Sequence, residues 1–334
     1  MRKIRWGVLG VAKIATTKVI PAMQRGQWSE VTAIASRDVD KARAAAAKLG
    51  IAKAYGSYEA MLEDGDIDAI YNPLPNHLHV PWTIKSAERG KHVLCEKPIA
   101  LSTDEARQLV AARDRTGVKI QEAFMVRTHP QWLKVKELVD GGRIGEVRSI
   151  LGAFSYTNRD PANIRNRPEF GGGALMDIGC YLVNTSRFIF GREPLRVAGA
   201  VQRDPEMHTD RLTSILLDYG TGHAAGTCST QMVFYQQLQI FGTSGRIELP
   251  IPFNAPPDRP TRIIVDTGAD LFGGGISHID VDVCNQYTIQ GDLFSKAILD
   301  NTHVPSPLED AVKNMACIDA IFKSAETGRW EVPQ

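Results

Sequence analysis

The sequence predicts an α/β amino-terminal region with a doubly wound parallel sheet, followed by an α+β region built on a largely antiparallel sheet. Three observations carry this. Short apolar runs alternate with helical stretches over the first third of the chain, and a glycine turn joins the first run to the first helix. After about residue 121 the pattern changes to strand-like segments in direct succession. Strands separated by helical spacers form parallel βαβ units, whereas strands joined by short turns form antiparallel sheets. A chain of 334 residues is too long for one ordinary core. Two domains are expected, at 1–122 and 123–334.

Residues 4–9 form an apolar run closed by Gly10, and 13–23 read as a helix interrupted by Pro21 and followed by Gly26. A second apolar run covers 31–35, and an alanine-rich helix covers 40–49 before Gly50. A short helix at 58–62 precedes a strand at 68–72. A helix at 79–88 runs up to Gly90, a strand covers 92–95, and 103–113 is again helical. Ser102 and Glu105 have capping-box spacing at the start of that last helix. In the second region, 147–156, 196–201, 213–219, 223–230, 236–241 and 262–265 suggest strands, and 285–294 suggests a packing helix.

Composition narrows the function classes. With 43% hydrophobic and 23% charged residues the chain is globular. A net charge of +1 gives no electrostatic reason to expect nucleic acid or an anionic membrane as partner. The five cysteines form no C-x-x-C pair, which fits reduced, buried thiols in a cytosolic protein. The first residues run straight into a strand, leaving no apolar segment typical of a secretion signal. No apolar run approaches the ~18 residues of a membrane span. A cytoplasmic protein is expected.

Three motifs carry chemistry. The first is Gly10-Val11-Ala12-Lys13-Ile14-Ala15, a variant of the G-x-G-x-x-G/A turn of Rossmann dinucleotide sites, with alanine at the second glycine. Such a turn puts a helix amino terminus against a pyrophosphate, although a degenerate version also serves as a plain strand–helix connection. The second run ends in Ala35-Ser36-Arg37-Asp38. NAD sites place an acid there, whereas NADP sites use arginine or polar donors, and Arg37 can grip a phosphate bidentately. An exposed loop arginine is the competing explanation; with the glycine turn, NADP is favoured and NAD stays possible. The second motif, Cys95-Glu96-Lys97-Pro98, puts a lysine at the carboxyl end of a strand, where open α/β sheets hold their ligands. In the third, Gly171-Gly172-Gly173 opens a helical stretch carrying Asp177 and Tyr181, four apart and so on one face. Together these point to hydride transfer on a hydroxylated substrate. His77 and His79, spaced i, i+2 without nearby cysteines, do not suggest zinc, and no metal is expected.

In order and spacing, these motifs and Tyr71-Asn-Pro-Leu-Pro-Asn-His-Leu-His79 resemble the glucose-fructose oxidoreductase, inositol dehydrogenase and rhizopine-catabolism (Gfo/Idh/MocA) family. The likeness covers almost the whole chain. Gly-x-Ala in the turn and tyrosine at 181 are similar to the branch of aldose 1-dehydrogenases and dihydrodiol dehydrogenases.

The resemblance implies that Lys97 is catalytic, stabilising alkoxide charge and favouring ionisation of a nearby tyrosine, whose usual pKa is about 10. It implies that Tyr181 is the acid–base group and that Asp177 binds substrate hydroxyls or orients Tyr181. Gly10, Ala12, Lys13, Ile14, Ser36, Arg37, Glu96 and Lys97 would then hold the cofactor, with Pro73, Leu74, Asn76 and His77 at its nicotinamide half. Arg127 and His129 would line the substrate pocket, with Asn158 and Arg159 as further candidates. The bond before Pro98 is expected to be cis. The second sheet should keep one open face, which forms a homodimer or homotetramer. The implied activity is an NADP-dependent aldose 1-dehydrogenase, with trans-dihydrodiol dehydrogenase and a non-catalytic cofactor-sensing regulator as alternatives. A glucose-fructose transhydrogenase fits less well, because its export signal and amino-terminal arm have no counterpart here.

Overall fold

The computed structural model describes residues 2–334. The chain forms two compact units: residues up to Thr128 with Asn285–Val312, and His129–Cys284 with Lys313–Gln334.

The first unit is built on six strands, β1 (Ile4–Leu9), β2 (Ser29–Ala35), β3 (Lys53–Tyr55), β4 (Ala69–Asn72), β5 (His92–Cys95) and β6 (Ile120–Glu122), in the order β3-β2-β1-β4-β5-β6. Every pairing is parallel. The strand order reverses between β1 and β4, and doubly wound sheets open their ligand crevice at that point. Ile4, Trp6, Val8, Ile70, Tyr71, Val93 and Leu94 are buried, as a sheet covered on both faces requires.

Local chemistry sets the helix ends. Asp38 caps Val39–Leu49 by accepting from the amides of Asp40 and Lys41, and Gly50 closes it at φ +66°. Ser102 accepts from Glu105 N at 3.2 Å, and the Glu105 carboxylate accepts from Leu101 N at 2.9 Å. The capping box is therefore real, with its return bond one residue early.

The sequence places all of 123–334 in the second domain, but helix Gln286–Leu299 belongs to the first unit. Its inner face completes that core. Trp6 Nε1 donates to Ser295 Oγ at 3.0 Å, and the Trp6 ring lies 5.6 Å from Phe294. Asp292 accepts from the amides of Gln27 and Trp28 and from Ser29 Oγ.

The second unit carries eight strands: β7 (Val147–Thr157), β8 (Arg196–Arg203), β9 (Asp210–Asp218), β10 (His223–Ser229), β11 (Gln231–Gly242), β12 (Arg246–Leu249), β13 (Thr261–Asp266) and β14 (Ile276–Val281). They run in the order β14-β13-β12-β11-β7-β10-β9-β8, antiparallel except for the parallel β7–β10 pair. Helix Cys180–Phe190 lies against one face. Gly152 and Gly226 face each other across β7 and β10, and a Cβ on them would come within 2.6 and 2.8 Å of the Leu182 methyls. Two missing side chains thus form the socket that lets the helix approach. The sheet is open at β11, where Val233 and Phe234 are 72% and 77% exposed.

Candidate active site

In the first unit, the glycine turn sits at the carboxyl end of β1. Gly10 N donates to Ala35 O at 2.7 Å, joining the ends of β1 and β2. Gly10 has φ +81°, and a Cβ there would come 3.1 Å from Leu74 Cδ2 and 3.5 Å from the Tyr58 hydroxyl. The bare backbone is what leaves this end of the crevice open to a ligand. Ala12, Lys13 and Ile14 follow; helical structure begins at Lys13 and includes a π-helical turn at Ala15–Val19. Ser36 is buried, and its Oγ accepts from Asp38 N, turning the chain so that Arg37 is exposed at the strand tip. Burial raises the Tyr58 hydroxyl above its usual pKa, and the facing Arg37 guanidinium opposes that rise. Asp38, the one acid at this tip, is committed to its helix cap.

The β4 and β5 ends are tied together. Asn72 Oδ1 accepts from Leu74 N, and Asn72 Nδ2 donates to His79 O and Thr83 Oγ1, which shapes the Pro73–Leu74 turn. Asn76 and His77 follow in a single 3₁₀ turn, Asn76–Leu78. Glu96 Oε1 accepts from Tyr71 OH at 2.6 Å. Burial first, then the Glu96 charge, holds the Tyr71 proton on far above its usual range, so Tyr71 is the donor. Lys97 precedes Pro98 through a cis peptide.

His79 joins the two loops: Nδ1 is 2.7 Å from Pro98 O and Nε2 is 2.7 Å from Leu74 O. Burial lowers its pKa to about 4 against both carbonyls. The ring is therefore neutral at physiological pH and donates to one carbonyl at a time. His79 is thus a buried tie between the two motifs.

In the second unit, a π-helical turn at Leu175–Gly179 leads into helix Cys180–Phe190. Such turns are rare and concentrate at functional sites. Asp177 Oδ2 accepts from Tyr156 OH at 2.6 Å and from Arg165 Nε at 3.0 Å. Burial, reinforced by the Asp177 charge, pushes the Tyr156 hydroxyl far up, so it too remains a donor. Tyr181, one helical turn on, is buried against Phe154 and Phe253, with ring centroids at 5.7 and 5.4 Å. Tyr156 and Arg165 are absent from the sequence-derived candidates. Period-2 spacing puts Tyr156 on the same face of β7 as Phe154, but only the fold shows that this face meets Asp177.

The remaining candidates have defined partners. Arg127 pairs with Asp310 at 2.9 Å within the first unit. His129 caps helix Pro130–Asp140 by accepting from Gln131 N, and its Nε2 lies 3.3 Å from Cys284 Sγ. Burial brings the His129 pKa to about 4. Asn158 receives the Asp160 amide and Asn166 Nδ2 in a loop. Among the described residues no cluster of three or more His, Cys, Asp or Glu has the form of a metal site, and no helix is long and apolar enough to cross a membrane.

Comparison with known proteins gives a consistent result. Residues 4–124 match the model of the Gfo/Idh/MocA oxidoreductase family, NAD-binding Rossmann fold, and residues 132–248 match the Gfo/Idh/MocA C-terminal domain. The chain is 47% identical to an uncharacterized oxidoreductase of Rhizobium meliloti, covering 99% of both chains. It is 38% identical to a D-xylose 1-dehydrogenase (NADP(+)) of Haloferax volcanii, covering 97% of this chain and 98% of the other. A 3-ketoreductase from Actinomadura kijaniata, solved with NADP and TDP-benzene, superposes with a TM-score of 0.90 at 29% identity, over 97% and 98% of the two chains. That ketoreductase is also solved with a lysine-to-alanine and with a tyrosine-to-phenylalanine substitution, at positions separated by as many residues as Lys97 and Tyr181. Two domain models in series and similarity along nearly the full length lead to one conclusion: the chain belongs to the Gfo/Idh/MocA family of oxidoreductases.

Proposed function

We propose that the protein is an NADP-dependent aldose 1-dehydrogenase that oxidises a pyranose to its lactone. The observation that carries the substrate class is the Asp177 carboxylate, which Tyr156 and Arg165 present four residues ahead of Tyr181. A charged acceptor beside polar donors suits a polyhydroxy compound better than the apolar ring of a dihydrodiol. The D-xylose 1-dehydrogenase relative supports the same class.

The cofactor assignment rests on Gly10, Ser36 and Arg37. The bare backbone at Gly10 leaves room for a pyrophosphate, with Ala12, Lys13 and Ile14 at the turn. Arg37 faces out at the strand tip where a 2′-phosphate is read. Pro73, Leu74, Asn76, His77 and Glu96 form the nicotinamide end. NADP, when bound, supplies the hydride acceptor. Tyr181, as the phenolate that the Lys97 charge favours, takes the hydroxyl proton as the hydride leaves the carbon, and Lys97 offsets the negative charge that builds on the oxygen. Asp177 accepts hydrogen bonds from neighbouring hydroxyls. Arg127, His129 and Asn158 belong to the substrate side by resemblance, His129 acting there through its helix cap. The reading includes a cytoplasmic enzyme that assembles as a homodimer or homotetramer through the open face around Val233 and Phe234.

A second reading, reduction of a sugar ketone, is favoured by the 3-ketoreductase superposition; it uses the same groups in reverse. Steady-state assays should pair NADP⁺ and NAD⁺ with a panel of aldoses, polyols and trans-dihydrodiols. The highest kcat/KM is expected for an aldose with NADP⁺. Turnover confined to dihydrodiols, or none with any alcohol, would overturn the assignment.

A further inference from the structure

The segment that carries Asp177 and Tyr181 begins without a cap of its own. Its first turn follows Gly171-Gly172-Gly173, and Ala174, at the N-cap position, offers no side-chain acceptor. The missing acceptor comes from 35 positions further along the chain. Asp210 Oδ2 accepts from Leu175 N at 2.7 Å and from Thr213 Oγ1 at 2.8 Å.

Two further observations link this carboxylate to the site. Gly173 has φ +121°, and a Cβ there would fall on Asp210 Oδ1, so the backbone lies directly on the carboxylate. Gly173 O in turn accepts from Asp177 N at 3.0 Å. The chain of contacts Asp210–Gly173–Asp177 is therefore continuous. Asp210 is also placed with care: it opens β9 beside a register shift between Gln202 and Arg203 of β8, and bulges of this kind re-aim a side chain. It is 1% exposed. A buried carboxylate is costly, and here it satisfies an orphan amide at a helix amino terminus, which also favours negative charge.

Resting on the assignment of Asp177 and Tyr181 to the reaction, we propose that Asp210 is the positioning residue of the acid–base segment. Its carboxylate fixes Leu175 and Gly173, and through them sets Asp177 in register with Tyr181. Turnover then depends on Asp210 acting through the segment.

The test compares Asp210→Ala, Asp210→Asn and Tyr181→Phe in the full chain, with NADP⁺ and the best aldose of the panel, D-xylose being the first tried. Displacing a site group by about 1 Å can cost ~100-fold in rate. Asp210→Ala is expected to lower kcat at least tenfold while the KM for NADP⁺ stays within about twofold. Asp210→Asn, which keeps an acceptor, should recover most of the rate. Hydrogen exchange over 174–181, which needs no substrate, should accelerate in the alanine variant and stay near wild type in the asparagine variant. Unchanged exchange and kcat in Asp210→Ala would overturn the proposal. Full turnover in Tyr181→Phe would instead sink the reading of the site, leaving the exchange measurement to decide the anchor. If Asp210→Ala does not fold, Thr213→Val, which removes one of the two donors on Oδ2, must give a smaller loss in kcat with faster exchange at 174–181; no change in either refutes the role.

Discussion

Replacing Asp210 with asparagine has a second consequence, in stability. Burial pushes the Asp210 carboxyl from its usual 3.8 up to about 6, against the hydrogen bonds from Leu175 and Thr213 and the Arg203 charge, all of which pull it down. Tyr156 and Cys228 are near enough to feel its charge. A rise of about two pKa units, at 1.36 kcal/mol each, means that the ionised carboxylate costs the fold about 3 kcal/mol. The sign follows from the two end states. Below about pH 3 the group is mostly protonated both folded and unfolded, and the fold carries almost no penalty. As pH rises through 6 the unfolded chain releases the proton first, so stability is lost across that interval and then levels off. Asparagine does not titrate. The stability of wild type relative to Asp210→Asn should therefore fall by about 3 kcal/mol between pH 3 and pH 7. With an unfolding entropy of about 2.1 cal/mol/K per residue over 334 residues, that is a Tm change of roughly 4 °C for cooperative unfolding. Thermal melts of both proteins at half-unit pH steps measure it. A difference that stays flat with pH, or one that moves in favour of wild type as pH rises, would refute the reasoning.

Arg37→Ala should weaken NADP⁺ about 10- to 100-fold, as expected for a lost charge-assisted contact, with little effect on NAD⁺; equal losses by titration would remove the 2′-phosphate role. Asp292→Ala leaves the Gln27 and Trp28 amides without their acceptor, while Ser29 Oγ keeps Met23 O at 2.9 Å, and calorimetry should show a loss of about 1–3 kcal/mol; a neutral result would mean that the other contacts of the helix, Trp6 with Ser295 among them, hold it without Asp292. His79→Phe removes the one hydrogen bond the neutral ring donates to the Leu74 or Pro98 carbonyl and should cost about 1–3 kcal/mol together with cofactor affinity. Because the folded pKa of His79 is lowered from 6.5 to about 4, wild type should also lose stability as pH falls through that window, and the phenylalanine variant should lack this component.

Most of the first sheet could be read from the sequence because its long apolar runs are buried on both faces and its helices announce their caps. Asp38, Gly50 and Ser102 act as their types and positions suggest. The three-residue strands β3 and β6 were missed, since three residues carry no period. In the second unit the sequence does not suggest β12 and β14, although they have four and six residues, and the parallel β7–β10 pair depends on tertiary order that no local pattern encodes. The motifs at Gly10, Lys97 and the triple glycine are legible in the sequence because each is a contiguous run. Tyr156, Arg165 and Asp210 stand outside those runs, because the hydrogen bonds that bring them to 175–177 span 12 to 35 residues and leave no local pattern.

Helix Gln286–Leu299 has a consequence for the order of assembly. Trp6 finds its partners 289 positions away in Ser295 and nearby Phe294, and the whole of His129–Cys284 lies between. The two units interleave in chain order: the second runs over His129–Cys284 and resumes at Lys313–Gln334. During synthesis the first sheet emerges early but waits for its last helix, with the Trp6 region and the Gln27–Ser29 turn uncovered until residue 299 has left the ribosome. Contacts of such separation close slowly, and domains generally fold as units as the chain emerges. The second unit is completed later still, because its last segment is Lys313–Gln334 and Val197 of β8 pairs with Glu331. A chain cut after residue 128 should then expose apolar surface and aggregate, however complete its six strands are on paper.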